Sequence, residues 1–264
     1  MLEPNPARQK LLSGQPVTMA FLCLGSPAAA QIMALSGIDI LAIDGEHMPL
    51  RESDVQAIAL AVHACGKCCL LRTAVKDPKT LMHYMDLGID GICATQTETA
   101  EEAAAVIRAV KFPPEGARGL CDYNCVGAFG FLGGRTTADL MACCNQNTLV
   151  FVTLESRRAL DNLEDIAALA GIDGIHIGPG DLSADLGLGG DPTAEALAPV
   201  MRQARRRILA AGKATGGFAT TPESIAAARE RGDKIILVGA DSTLLRSAAG
   251  RLALSAGEQL PSVY

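Results

Sequence analysis

The stretch Gly37-Ile38-Asp39-Ile40-Leu41-Ala42-Ile43-Asp44-Gly45-Glu46-His47 holds a helix stop, a short apolar run and a polar exit in eleven residues. Its opening recurs as Gly88-Ile89-Asp90, ahead of a run that exits into Thr95-Gln96. It recurs again as Gly171-Ile172-Asp173, ahead of a run that exits into Gly178-Pro179-Gly180-Asp181. A glycine in the left-handed region closes the preceding helix, the Asp sits in the connection, and four to six apolar residues read as a strand buried on both faces. In parallel α/β folds the ligand lies at the C-terminal ends of the strands, so the polar exits mark where a site is built.

Working outward, apolar runs at Thr18–Leu22, Ile40–Ile43, Cys69–Arg72, Gly91–Ala94, Leu149–Leu154, Gly174–Ile177, Ala214–Phe218 and Ile235–Val238 read as strands. Amphipathic stretches at Ala28–Ser36, Asp54–Ala64, Lys79–Leu87, Thr99–Val110, Leu160–Ala170, Ala194–Ala211 and Pro222–Arg231 read as the helices between them. Right-handed βα units in this number close an α/β TIM barrel, one domain over residues 1–264, with a doubly wound open sheet as the competitor. Residues 112–147 are too long for an ordinary connection and are rich in Gly and Pro. They are expected to form an elaborated loop over the mouth of the barrel, with an insertion used for subunit packing as the alternative.

The chain is 49% hydrophobic and 20% charged, with no Trp and 3% aromatic residues, so its core is expected to be aliphatic. A net charge of -6 gives no electrostatic footprint for nucleic acid. The one basic cluster, Arg205-Arg206-Arg207, reads as a solvated helix face. The first residues lack the apolar segment of a signal peptide, and the apolar stretch from Val17 to Ile43 is interrupted by Gly25-Ser26-Pro27 and by Ser36-Gly37 with Asp39. A cytoplasmic protein with no membrane span is expected. Nine cysteines, two pairs of them adjacent, fit reduced, buried residues better than a disulfide framework. Cys65 and Cys68 have the spacing of half a zinc site, with Cys121 and Cys125 as its other half, but Cys68 falls in a strand.

The strand ends bring Glu46, His47, Arg72, Gln96, Glu155, Asp181 and Asp241 to one rim. Glu155 and Asp181, from adjacent strands, suit a hard divalent cation such as Mg²⁺ with positions left for water or a bidentate oxygen ligand. Arg72 suits a carboxylate or a developing oxyanion, and His47 suits proton transfer near neutrality. No P-loop, dinucleotide fingerprint or Gly-x-Ser-x-Gly elbow is present.

Ile43-Asp44-Gly45-Glu46-His47, Leu71-Arg72, Asp86-Leu87-Gly88, Lys111 to Gly119, Leu154-Glu155-Ser156 and Ile177-Gly178-Pro179-Gly180-Asp181-Leu182-Ser183 occur in order. Together they resemble the class II 2-oxo-acid aldolases, the 4-hydroxy-2-oxoheptanedioate aldolase and citrate lyase family, over about Gly14 to Leu252. The resemblance implies a hexamer of TIM barrels with Mg²⁺, Mn²⁺ or Co²⁺ held by Glu155 and Asp181 and chelated by the 2-oxo acid. It implies that Arg72 stabilises the enolate, that His47 transfers protons and is oriented by Asp44 and Asp86, and that backbone amides around Gly178 and Gly180 help bind the carboxylate.

The reaction so implied is cleavage or formation of a 4-hydroxy-2-oxo acid from pyruvate and an aldehyde. Cys93-Ala94-Thr95-Gln96, Thr153 and Leu120 to Cys125 depart from the family pattern, and these departures motivate an alternative. That alternative is a citrate synthase of the siderophore branch condensing oxaloacetate with acetyl-CoA, for which Arg118 and Arg135 would line a basic mouth. A catalytically silent barrel used for binding or assembly is the third reading.

Overall fold

The computed structural model describes residues 3–258. Eight parallel strands, β1 (Val17–Leu22), β2 (Ile40–Asp44), β3 (Cys68–Thr73), β4 (Gly91–Ala94), β5 (Leu149–Leu154), β6 (Gly174–Ile177), β7 (Ala214–Phe218) and β8 (Ile235–Ala240), close a barrel in sequence order. The open-sheet competitor is excluded because β1 pairs with β8 as well as β2.

The outer layer begins with α1 (Pro6–Leu12), α2 (Pro27–Leu35), α3 (Glu52–His63), α4 (Pro78–Asp86), α5 (Ala100–Val110) and α6 (Thr137–Asn147). It continues with α7 (Arg157–Asp161), α8 (Leu163–Ala167), α9 (Pro179–Asp185), α10 (Leu197–Ala210), α11 (Pro222–Glu230) and α12 (Asp241–Ser255). Among the described residues no helix is long and apolar enough to cross a membrane.

Period-two alternation splits each strand between two cores. Leu41, Ile43, Val150, Val152 and Ile175 face the helices, while Met19, Ile40, Leu70, Phe151 and Leu237 fill the barrel. Ala7 and Leu11 of α1 join the inner cluster.

The Gly-Ile-Asp openings do more than deliver strands. Each Asp turns its carboxylate back to the strand before its own: Asp39 accepts the Thr18 amide at 3.0 Å, Asp90 the Cys69 amide at 2.7 Å and Asp173 the Val150 amide at 2.9 Å. A basic side chain stands at each, with Lys10 at 2.6 Å from Asp39, His63 at 2.8 Å from Asp90 and Arg8 at 3.5 Å from Asp173. Gly37 and Gly88 take the expected positive φ, of 95° and 99°. Gly171 does not. It is small because Ile107 of α5 packs where its Cβ would stand.

Several expectations are corrected. Residues 112–147 follow a helix rather than a strand, so they start at the N-terminal end of the barrel, and they end in α6, which feeds β5 from that same end. There Arg118 binds Asp86 at 2.6 Å and the Cys125 thiol donates to the Asp86 carbonyl, which places the segment opposite the mouth. The single helix expected over Leu160–Ala170 is divided at Asn162, whose side-chain amide donates to the Glu98 and Arg158 carbonyls. The basic cluster is only partly solvated, since Arg205 pairs with buried Asp233 and Arg207 with Glu164.

Asp90→Ala strands the Cys69 amide and His63 without a partner. It should cost about 2–3 kcal/mol in urea unfolding, the loss of a charge-assisted hydrogen bond plus an unmet buried donor.

Candidate active site

Parallel strands deliver Asp44, Arg72, Glu155 and the β6–α9 turn to one end of the barrel. Arg72, in the last turn of β3, is three-quarters or more buried and lies between carboxylates: its Nη2 is 2.9 Å from Glu46 Oε2 and its Nη1 is 3.5 Å from Asp44 Oδ2. The guanidinium also lies over the Phe21 ring, 5.0 Å from its centroid. Its Nη2 approaches His47 Nε2 at 3.2 Å, a contact in which a neutral imidazole accepts. Arg72 is therefore the hub of the β2 and β3 exits.

Asp44 shapes the β2 exit. Its Oδ1 accepts the backbone amides of Glu46 and His47, each at 3.2 Å, so it holds the turn that carries His47 rather than the imidazole itself. The His47 side chain is 54% exposed and lies 3.6 Å from Glu46 Oε2. Glu46, a rim residue without an assigned role in the sequence reading, is the common partner. It receives Thr95 Oγ1 at 2.8 Å and the Gln96 side chain at 3.3 Å as well as Arg72.

Glu155 and Asp181 line the same cavity as Arg72, a recess of about 760 Å³ that also reaches Gly178, Gly180 and His176. The pair also borders a second recess, of about 430 Å³, shared with Gln96, Glu98 and Ser156. Burial pushes the Glu155 carboxyl up to about 6 against the Gln96 hydrogen bond, and the Asp181 and Glu46 charges push the same way. The Gln96 amide donates to Glu155 Oε1 at 2.6 Å, and to reach it the Gln96 backbone takes φ 51°, a costly conformation for a residue with a Cβ. The other oxygen, Oε2, fills the place a Cβ on Gly178 would take. The Asp181 carboxylate has no hydrogen bond or ion pair among the described residues. Two clustered hard carboxylates, one without a protein partner, fit a divalent cation as a ligand set completed by water or substrate oxygens. Among the described residues no group of three or more His, Cys, Asp or Glu suited to a metal exists, so these two would be the protein's share.

The structure separates other residues that the sequence grouped. Asp86 ends α4 at the opposite end of the barrel from Arg72, bound to Arg118, and does not meet His47 within one chain. Arg118 is buried there and Arg135 stands beside Glu3, so neither lines the mouth that the acetyl-CoA alternative required. The Gly178 amide is already engaged by the Leu154 carbonyl at 3.1 Å; Gly180, in the first turn of α9, lines the cavity.

Sequence reasoning missed His176. It is 8% exposed, stacks edge-on against Phe151 at 5.7 Å, and its Nε2 has no partner. The available signal was a polar residue at an inward position of a strand otherwise apolar. Burial, with the Arg72 charge, lowers its pKa from 6.5 to about 4.

A closed parallel barrel with a carboxylate pair and an arginine gathered at the C-terminal ends of its strands has the layout of a TIM-barrel enzyme site. The chain belongs to the HpcH/HpaI aldolase/citrate lyase family, whose model matches residues 17–248. It is 36% identical over 255 residues to the hydroxypyruvate/pyruvate aldolase of Deinococcus radiodurans, covering 95% of this chain and 89% of that one. It is 33% identical over 261 residues to the 4-hydroxy-2-oxo-heptane-1,7-dioate aldolase of Shigella sonnei, covering 98% and 97%. A crystal structure of a family member from Burkholderia cenocepacia superposes with a TM-score of 0.85 at 31% identity, over 96% of this chain and all of that one.

The His176 shift has a sign. As pH falls the unfolded chain takes up this proton first, near 6.5, while the folded ring stays neutral to about 4, so stability present above 6.5 is lost through that window. Urea unfolding in chelator should therefore show wild type losing more stability than His176→Gln between pH 7 and pH 4, by up to about 3 kcal/mol.

Proposed function

We propose that this chain is a divalent-cation-dependent carbon–carbon lyase that reversibly cleaves a 4-hydroxy-2-oxo acid to a pyruvate-type 2-oxo acid and an aldehyde. The observation that carries the reading is the shared cavity of Arg72, Glu155 and partner-free Asp181. Membership of an aldolase/citrate lyase family and the aldolase names of its relatives support it.

Glu155 and Asp181 would hold the cation, Mg²⁺, Mn²⁺ or Co²⁺. When bound, it supplies a Lewis acid for the carboxylate and keto oxygens of the 2-oxo acid. Arg72 supplies guanidinium donors to the keto oxygen, on which charge grows as the C3–C4 bond breaks and its electron pair moves to the enolate. The Glu46 and Asp44 carboxylates hold that guanidinium in place. Once the Arg72 donor turns from His47 Nε2 to the keto oxygen, that nitrogen takes the proton of the C4 hydroxyl as the aldehyde carbonyl forms, and the half-exposed ring exchanges the proton with solvent. Protonation at C3 then completes the 2-oxo acid. Buried Thr95 fixes Glu46 from the β4 side, so the acid beside Arg72 does not swing into the substrate space.

The reading includes assembly into a homo-oligomer, a hexamer by family resemblance. In α12 only Asp241 is buried, and Leu245 and Leu252 are 62% and 73% exposed. A helix with such a face supports burial against another copy. Nine cysteines with no disulfide among the described residues support a reducing, cytoplasmic setting.

Three experiments test these statements. Proton NMR of pyruvate in D₂O with Mg²⁺ or Mn²⁺ should show enzyme-dependent exchange of the methyl protons, absent with chelator and in Asp181→Asn. Arg72→Lys should lose about 10²–10³-fold in kcat, since a point charge does not reproduce the fork of donors. Exchange that survives both the chelator and Asp181→Asn would sink the metal reading. Light scattering after size exclusion should report an oligomer that Leu245→Glu with Leu252→Glu breaks to monomers; a monomeric wild type would refute the assembly.

A further inference from the structure

We propose that His176 is a specificity-determining residue that hydrogen-bonds a hydroxyl on C3 of the 2-oxo acid, fitting the cavity to a 3-hydroxy-2-oxo acid as the carbon nucleophile. This rests on the lyase reading above and deepens it.

Alternation along β6 sends Ile175 and Ile177 outward into the helix-facing core and His176 inward, edge-on to Phe151. Neither ring nitrogen has a protein partner among the described residues, and Nε2 is fully buried. An unmet polar atom at such a site is destabilising, and a bound hydroxyl or water removes that cost. The register explains why no side chain covers the ring: its partners are Thr153 on β5 and Gly216 on β7, one short and one without a side chain. The ring lines the same cavity as Arg72, Glu155 and Asp181.

Depth decides which part of the substrate it meets. His176 lies two residues before Gly178, and its β5 partner Thr153 two before Glu155, so the imidazole sits below the carboxylate pair. The aldehyde enters from the mouth above. With the carboxylate and keto oxygens of the 2-oxo acid at the level of Glu155 and Asp181, as the lyase reading has them, C3 is the atom left to carry a substituent to the floor. Two other polar groups at this depth are uncharged, since burial holds the Cys93 thiol up at about 11 and its sulfur lies 3.7 Å from Thr153 Oγ1; Arg72, the register partner of Cys93, is the charged group beside them. A neutral imidazole offers one donor and one acceptor, which match a hydroxyl and find nothing on a methyl group.

The test uses the full chain with Mn²⁺ and one aldehyde, glycolaldehyde, and compares hydroxypyruvate with pyruvate as nucleophile in wild type, His176→Phe and His176→Gln. Calorimetric binding of each oxo acid accompanies kcat/KM. His176→Phe should lower kcat/KM for hydroxypyruvate by about 10–100-fold and weaken its binding, with pyruvate changed less than about threefold, and Gln should restore part of the loss. An equal fall for both oxo acids assigns His176 a structural role and overturns the proposal, as does no change in either. A wild type inactive with both nucleophiles fails the lyase reading itself, an outcome distinct from an active wild type whose substrate ratio ignores His176.

Discussion

A carboxylate at the entrance of every second strand organises this barrel. Asp39, Asp90 and Asp173 each accept the backbone amide of the preceding strand's second residue, and their own backbones bond the next strand through the Cys68, Leu149 and Ala214 amides. Each residue thus ties three consecutive strands at one level. Register in a barrel propagates, since shifting one pair by a residue turns its inward side chains outward. Pinning pairs at the N-terminal end consequently sets which side chains stand inward at the other end, where the chemistry is. The fourth even strand also opens on an Asp, but by a different arrangement: after Gly232, buried Asp233 is held by Arg205 and Arg231, and the backbone of Lys234 bonds the neighbouring strands.

At the C-terminal end the constraint is electrostatic. Glu46, Asp44 and Glu155 are all largely buried, and Arg72 is the cation placed among them. The arrangement is uneven: Arg72 is close to Glu46, whereas Glu155 is held by the Gln96 amide and raised by Asp181. Glu155 and Asp181 leave negative charge in excess on the β5–β6 side, while on the β3 side Arg72 stands against the Glu46 and Asp44 carboxylates. The left-handed backbone of Gln96 and the missing Cβ of Gly178 both serve the position of Glu155. That two departures from ordinary backbone chemistry converge on one carboxylate separates it from a residue merely left at a strand end.

The bland and the functional readings of single residues divided along burial. Arg205 belongs to a basic triplet that reads as a solvated face, yet it neutralises Asp233; Arg118 reads as a mouth residue, yet it is locked to Asp86 beneath the barrel. In both cases the charge count was visible and the partner was not, because the partner lies 28 or 32 residues away along the chain.

By itself the sequence determined the closed αβ alternation, the strand positions and the residues at the exits, since apolar periodicity and helix stops are local and each βα unit repeats the same direction. Asp44, His47, Arg72, Glu155 and Asp181 were legible for that reason. Tertiary structure alone decided what each exit residue touches: Arg72 as a hub, Asp44 on the His47 backbone rather than its ring, Asp86 at the far end, and His176 open to the cavity. It also decided that residues 112–147 lie beneath the barrel and that α12 stands with its leucines exposed. The physical reason is that strand direction is encoded in neighbouring residues, whereas side-chain partners and cavities are made by elements brought together only when the barrel closes.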